Sequence, residues 1–173
     1  SLNKKLIHSK LDLLKQFSEG LIFIAPGHFG PIADALKMQQ FDLAKQRCEA
    51  YKQAFGKNFY IGLQQTEPNA QSRCQQLAQL AKAFNIQPVV TQDVYYQKPE
   101  DVVLKEILHG IQFGRVLEDD DLMGLKQGQN DLKTPAQMQE LFREYPEALA
   151  NTLNIAQQCE ISFELDRVNL PEF

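Results

Sequence analysis

The sequence has few of the features that mark secreted, membrane or zinc-binding proteins. It holds three cysteines in 173 residues, they lie far apart, and no two are spaced as CxxC, so neither a disulfide framework nor a cysteine zinc site is predicted. The longest apolar run, "LIFIA" at 21–25, is much shorter than the roughly 20 residues of a membrane helix, and no leader of charged and then apolar residues opens the chain. We therefore expect a cytoplasmic protein whose Cys48 and Cys74 are reduced thiols packed within helices.

Positive charge is also scarce. Lys and Arg number 18 against 22 Asp and Glu, which gives a net charge of −4, so direct DNA binding by this chain is disfavoured. With 43% hydrophobic and 23% charged residues, the composition is that of one globular domain with a core. The chain begins at Ser1 without methionine and inside a helical pattern, so we expect an excised piece of a longer protein.

Strand and helix patterns alternate in the first part of the sequence. Apolar runs at 21–25, 59–63 and 88–92 predict strands, and helical patterns at 32–40, 42–55 and 70–84 lie between them. This alternation is typical of right-handed crossovers and predicts an α/β fold with parallel, neighbouring strands. Since ligands of such folds bind at the carboxyl ends of the strands, three segments become candidates for one rim: "APGHFG" at 25–30, "QQTEP" at 64–68 and "QDVYY" at 92–96.

From Pro99 onward the pattern is helical only. Helices are predicted over 99–114, 134–146 and 146–160, with Thr134 as an N-cap, and the connection 117–131 is predicted to be an exposed loop.

Four segments then carry a resemblance: "VVTQDVYYQKPED", "LHGIQFGRVLEDDD", "TPAQMQELFREYPEALANTLNIAQQC" and "LPEF". They resemble the second half of the polymerase and histidinol phosphatase (PHP) domain of the alpha subunit of bacterial DNA polymerase III. The resemblance implies a partial (βα) barrel of PHP type with parallel strands, followed by a helical connecting segment. It places the second half of the barrel at 1–98 and the segment that leads to the polymerase core at 99–173.

The resemblance also implies a metal site, in which His, Asp and Glu ligands hold ions that activate water for phosphodiester hydrolysis. Active relatives have a motif similar to Asp-Val-His at the third strand end. Here Asp93 is kept and Tyr95 takes the histidine's place, and a phenol is a poor ligand at neutral pH. The loop after the first strand is similar to Ser-Gly-Cys in active relatives, which puts Gly27 at the former ligand position and His28 one step beyond. We expect a degenerate remnant with Asp93 and His28 as its candidate metal-site residues, and Gly27 and Tyr95 as former ligand positions.

Other residues have simpler interpretations. His8 and His109 are expected to be structural or exposed, and Glu67 to be solvated. Tyr95 and Tyr96 are expected to pack in the volume that ligands once occupied. The acidic run 118–121 lacks the alternating ligands of an EF-hand and is expected to be a solvated loop.

Three function classes are ranked on this basis. The first is a catalytically silent structural module of a replicative polymerase, which by itself incorporates no nucleotides. The resemblance implies three partners: the remainder of the alpha subunit, the proofreading exonuclease subunit, and DNA through the parent protein. No cofactor is expected in the fragment, and zinc, manganese or magnesium would be expected if the site were active. The alternatives are an active metal-dependent phosphoesterase or 3′–5′ exonuclease, and an unrelated small barrel enzyme.

Three strands leave an open edge, so the piece either dimerises, swaps strands or needs its missing half.

Overall fold

The computed structural model describes residues 11–66, 70–114 and 130–162. The predictions for His8, Glu67, the acidic run 118–121 and the closing "LPEF" lie outside these residues.

A three-stranded parallel sheet forms the centre of the fold, with strand order β1–β2–β3. The strands are β1 (Phe23–Ala25), β2 (Phe59–Leu63) and β3 (Gln87–Val90). The predicted parallel, neighbouring arrangement is confirmed. The sheet is open, and among the described residues no further strand closes it into a barrel.

The first strand is shorter and less buried than the sequence predicts. It begins at Phe23, because the chain is still in a turn at Leu21, whose backbone N–H donates to the Ser18 carbonyl at 3.1 Å. Every residue of β2 is buried, whereas in β1 only Ala25 is. The difference follows from position, since β2 is central and β1 is at the edge.

Most helices follow the predicted pattern, although the helices predicted over 32–40 and 134–146 end earlier, at Lys37 and Leu141. Helix α3 (Phe41–Phe55) has Gly56, with a positive φ of 56°, as its C-cap. Helix α4 (Ala70–Ala83) buries Leu77, Leu80 and Ala81 on one stripe. Thr134 is the predicted N-cap and forms a capping box with Gln137. The helices are α1 (Leu11–Gln16), α2 (Pro31–Lys37), α3 (Phe41–Phe55), α4 (Ala70–Ala83), α5 (Val102–Phe113), α6 (Pro135–Leu141) and α7 (Pro146–Gln158), with 3₁₀ turns at Gly56–Asn58 and Pro99–Asp101.

One hydrophobic core joins the sheet to helices from both parts of the chain. Phe142 and Ala148, which lie in the predicted connecting segment, belong to the same buried cluster as Phe59 and Ile61 of β2. Asn151 of α7 is buried, and its Nδ2 donates to the carbonyl oxygen of Pro88 in β3 at 2.8 Å. Residues on both sides of the predicted boundary at 98/99 thus share one core, and the boundary itself stays a prediction.

In the described parts of the chain, no helix combines the length and apolar character that crossing a membrane requires.

Candidate functional site

The carboxyl ends of the three strands bring together one side chain from each of the predicted rim segments. His28 follows β1, Gln64 follows β2 and Asp93 follows β3. The His28 Nδ1 atom lies 2.8 Å from Gln64 Oε1, and its Nε2 atom lies 3.1 Å from Asp93 Oδ2. The predicted rim therefore exists, and its two candidate residues, His28 and Asp93, form an ion pair across the sheet end.

The two oxygen atoms near the His28 ring decide which protonation state satisfies both of its contacts. Both ring nitrogens face oxygen acceptors, so the doubly protonated imidazolium satisfies both contacts. On its other side the Gln64 amide contacts Thr66, since its Nε2 donates to Thr66 Oγ1 at 3.3 Å while Oε1 faces His28. The side chains of His28 and Asp93 are 19% and 32% exposed, so the pair lies partly shielded from water.

Two further contacts from α4 support the rim. Gln64 is only 3% exposed, and its backbone carbonyl accepts from Cys74 Sγ at 3.2 Å. Burial raises the pKa of the Cys74 thiol, which keeps it protonated and able to donate. Arg73 Nη1 donates to the His28 carbonyl at 3.3 Å. Helix α4 thus contacts both the loop that carries His28 and the segment that carries Gln64.

Glycine is required beneath the pair because the backbone segments approach closely. A Cβ atom on Gly27 would lie 2.7 Å from the Gly62 carbonyl oxygen and 2.9 Å from the Gln64 nitrogen. A Cβ on Gly62 would in turn lie 2.9 Å from the Ala25 carbonyl oxygen. This backbone leaves no room for a ligand side chain at position 27, and the side chain that reaches Asp93 comes from position 28.

The two tyrosines after Asp93 point in opposite directions. The chain at 95–96 pairs with 130–132 in an isolated parallel bridge, and alternate residues of extended chain face opposite sides. Tyr96 is 9% exposed and packs as predicted, whereas the packing prediction for Tyr95 is wrong, because this side chain is 62% exposed. The Lys105 ammonium lies 4.4 Å from the centre of the Tyr95 ring, which is a cation–π contact at the surface.

The donor set can be tested against a metal ion. Structural zinc takes four ligands and catalytic zinc three with a water, while magnesium takes six. His28 and Asp93 supply two candidate ligands, and within the described residues no group of three or more His, Cys, Asp and Glu side chains could hold a metal. The described residues therefore do not fit a metal centre by themselves.

Known proteins are similar to this chain over nearly its whole length, although no protein-family model matches it. DNA polymerase III subunit alpha of Bacillus subtilis is 35% identical over 164 residues, which cover 92% of this chain. The same subunit of Pseudomonas aeruginosa is 34% identical over 163 residues, or 94% of the chain. This chain matches a segment of the DNA polymerase III alpha subunit.

The matched part of the alpha subunit is small. The chain spans 14% of the length of both relatives. Error-prone DNA polymerase 1 of Agrobacterium fabrum is also similar, with 30% identity over 154 residues that cover 88% of the chain and 13% of that protein. The resemblance to alpha-subunit sequences is confirmed at this level, and the assignment of the segment to the PHP domain stays a prediction.

Sequence reasoning found the rim but missed part of it. Gln64 lies in a predicted rim segment, but nothing in the sequence marks its amide as the group that orients His28. Arg73 gave no signal, because it lies inside a helix pattern and only the tertiary fold brings it to the His28 carbonyl. The close contact between the backbone at Gly27 and the neighbouring strand is indicated in the sequence by one feature, the second glycine at Gly62.

Proposed function

We propose that this chain is a structural module of a bacterial DNA polymerase III alpha subunit and takes part in DNA replication as a piece of that protein. Identity of 34–35% over more than nine tenths of the chain supports the parent. In this proposal the open three-stranded sheet is the second half of a PHP barrel, residues 1–98 belong to that barrel, and residues 99–173 connect it to the polymerase core. The parent protein works in the cytoplasm.

The observation that carries the silent, structural role is the direct pairing of His28 with Asp93. Each is the other's partner at 3.1 Å, and the second ring nitrogen of His28 is engaged by Gln64 at 2.8 Å. Both ring nitrogens of His28 are engaged by protein oxygens, so a metal would have to displace one of these contacts, and the arrangement favours the side-chain pair over coordination. The pair connects the ends of β1 and β3 across β2. In a metal site, shared coordination of the ion would make this connection.

The proposed partners follow from the parent protein. The remainder of the alpha subunit is the first, the proofreading exonuclease subunit is the second, and DNA is reached through the parent. The chain's net charge of −4 favours an indirect rather than a direct contact with DNA.

An active phosphoesterase or 3′–5′ exonuclease is the less favoured alternative. It would need zinc, manganese or magnesium, and therefore further ligands beyond the two that meet at the rim. Tyr95 offers no ligand there, because its ring lies at the surface beside Lys105.

The test uses the complete parent polymerase with His28→Ala and Asp93→Ala variants. We expect neither substitution to change the bound zinc or manganese measured by plasma mass spectrometry, nor the hydrolysis of a phosphodiester substrate. Primer extension by the wild-type parent is the positive control, and the 173-residue chain alone should give none. Stoichiometric metal that is lost with either substitution, together with lost hydrolysis, would overturn the silent role.

A further inference from the structure

The rim residue Asp93 lies beyond the end of the sheet. Thr91 still donates its backbone N–H to the Leu63 carbonyl at 2.9 Å, but β2 ends at Leu63 and the chain after Thr91 has no strand structure. The Asp93 carboxylate nevertheless reaches His28 at 3.1 Å. A backbone outside the strand ladder needs other hydrogen-bond partners to hold it in place, so the position of Asp93 depends on contacts from elsewhere in the chain.

Asn130 supplies three such contacts. Its Nδ2 donates to the Asp93 carbonyl at 2.9 Å, and its own carbonyl accepts from the Tyr95 backbone N–H at 2.9 Å. Its backbone N–H also donates to Tyr96 Oη at 3.4 Å. The first two contacts engage the peptide groups on both sides of Val94. Asn130 therefore holds the stretch of backbone from which the Asp93 side chain extends.

The residues after Asn130 are anchored by contacts of their own. The Asp131 carboxylate pairs with the Lys133 ammonium at 2.7 Å, and the two side chains are only 10% and 12% exposed. Separating them would leave a charge in a shielded place, which is costly. Gln92 Nε2 also donates to the Asp131 carbonyl at 3.0 Å. Residues 130–133 are thus held firmly beside the rim.

We propose that Asn130 is the positioning residue of the rim, which sets the Asp93 backbone so that the Asp93 carboxylate meets His28. The link between the ends of β1 and β3 is then controlled from residues 130–133, in the helical part of the chain, and it forms only while those residues are in place. The inference rests on the proposed function, because it takes this side-chain link, rather than a metal, as what the rim forms.

The contacts of Asn130 and of His28 are separate, which makes the control specific. Asn130 acts on the carbonyl of Asp93 and leaves its Oδ2 to His28. His28 itself is held by Gln64 at Nδ1 and by Arg73 of α4 at its carbonyl. Loss of the Asn130 side chain should therefore displace Asp93 while the contact between His28 and Gln64 stays intact.

The first experiment is a double-mutant cycle of His28→Ala and Asp93→Ala, run in the wild-type chain and again with Asn130→Ala. We expect the coupling free energy of unfolding between the pair to fall to less than about half of its wild-type value. Asn154→Ala is the matched control, because it also removes one side-chain amide donor, the Nδ2 that lies 3.1 Å from Asn151 Oδ1, at the opposite end of β3. It should leave the coupling unchanged. Lower stability with an unchanged coupling in Asn130→Ala would overturn the proposal.

The ring nitrogens of His28 give a second readout that a merely stabilising role of Asn130 would not change. In nitrogen-15 NMR spectra at one fixed pH with a chelator present, Asn130→Ala should shift the Nε2 resonance, which reports on Asp93, and leave the Nδ1 resonance, which reports on Gln64. Asn130→Leu, which keeps the volume, serves if Asn130→Ala fails to fold. A shift of neither resonance, or of both equally, would contradict the proposal.

Failure of this inference can be told apart from failure of the proposed function. Metal content and phosphodiester hydrolysis of the parent polymerase test the proposed function, whereas the coupling and the His28 resonances are measured in metal-free chain.

Discussion

Removing the rim ion pair should destabilise the fold by a predictable amount. An exposed ion pair contributes about 0–1 kcal/mol and a charge-assisted hydrogen bond in a shielded site about 1.5–3 kcal/mol. The His28–Asp93 contact lies between these cases, with side chains 19% and 32% exposed. We therefore expect a coupling free energy of about 1.5 kcal/mol between the two side chains.

The assay is a double-mutant cycle of His28→Ala, Asp93→Ala and the double variant, followed by urea or thermal unfolding of the chain. A coupling of this size corresponds to a change in melting temperature of about 3–6 °C for a domain of this length. His28→Ala should cost more than Asp93→Ala, because it also leaves the amide oxygen of Gln64, a residue that is 3% exposed, without its donor.

A matched control exists in the same chain. Lys45 and Asp42 form an ion pair at 3.4 Å on one helix, with side chains 54% and 99% exposed, so their coupling should not exceed about 0.5 kcal/mol. High salt should reduce the control coupling more completely than that of His28 and Asp93. The reasoning is refuted if the His28–Asp93 coupling is no larger than that of the control pair.

Three further predictions concern close packing and buried thiols. Gly27→Ala should lower the free energy of unfolding by about 2 kcal/mol or more, because its Cβ would lie 2.7 and 2.9 Å from backbone atoms at the end of β2. Gly20→Ala is the control. Its Cβ would meet open space at a φ of 74°, so it should cost about 1 kcal/mol in the same unfolding assay. In the native chain iodoacetamide should modify exposed Cys159 but not buried Cys48 or Cys74, and modification of all three at similar rates would contradict this. Because burial, aided by a neighbouring glutamate, raises the pKa of Cys48 from 9.0 to about 12, the unfolded chain releases this proton first, so the free energy of unfolding should fall as pH rises from about 9 towards 12.

Local patterns were sufficient to predict the sheet and the side chains that meet at the carboxyl ends of its strands. The apolar runs at 59–63 and 88–92 and the helices between them predicted parallel crossovers, and the chirality and connectivity rules for such units then placed His28 and Asp93 at one edge. Positions at the strand ends follow from topology alone, so they can be read without any knowledge of side-chain packing.

The features that the sequence did not predict depend on the direction in which a side chain points from its helix or strand. Tyr95 and Tyr96 are chemically alike, and only the pairing of this segment with 130–132 decides which of them is buried. The apolar residues of α5 are visible in the sequence, but a pattern of this kind normally predicts contact with the chain's own core. Within the described residues α5 packs mainly against the 3₁₀ turn that precedes it, so most of its apolar side chains stay exposed.

The contacts of His28 also explain how the three strand ends are joined. Three strand ends converge where Gly27 and Gly62 allow backbone contact, and a side-chain link has to span β2 to join β1 with β3. His28 meets this requirement because its two nitrogens act in opposite directions, one toward Gln64 after β2 and the other toward Asp93 after β3. A cysteine or aspartate in place of His28 has no second donor and would link at most one neighbour. In this rim His28 is therefore the side chain that links the ends of all three strands.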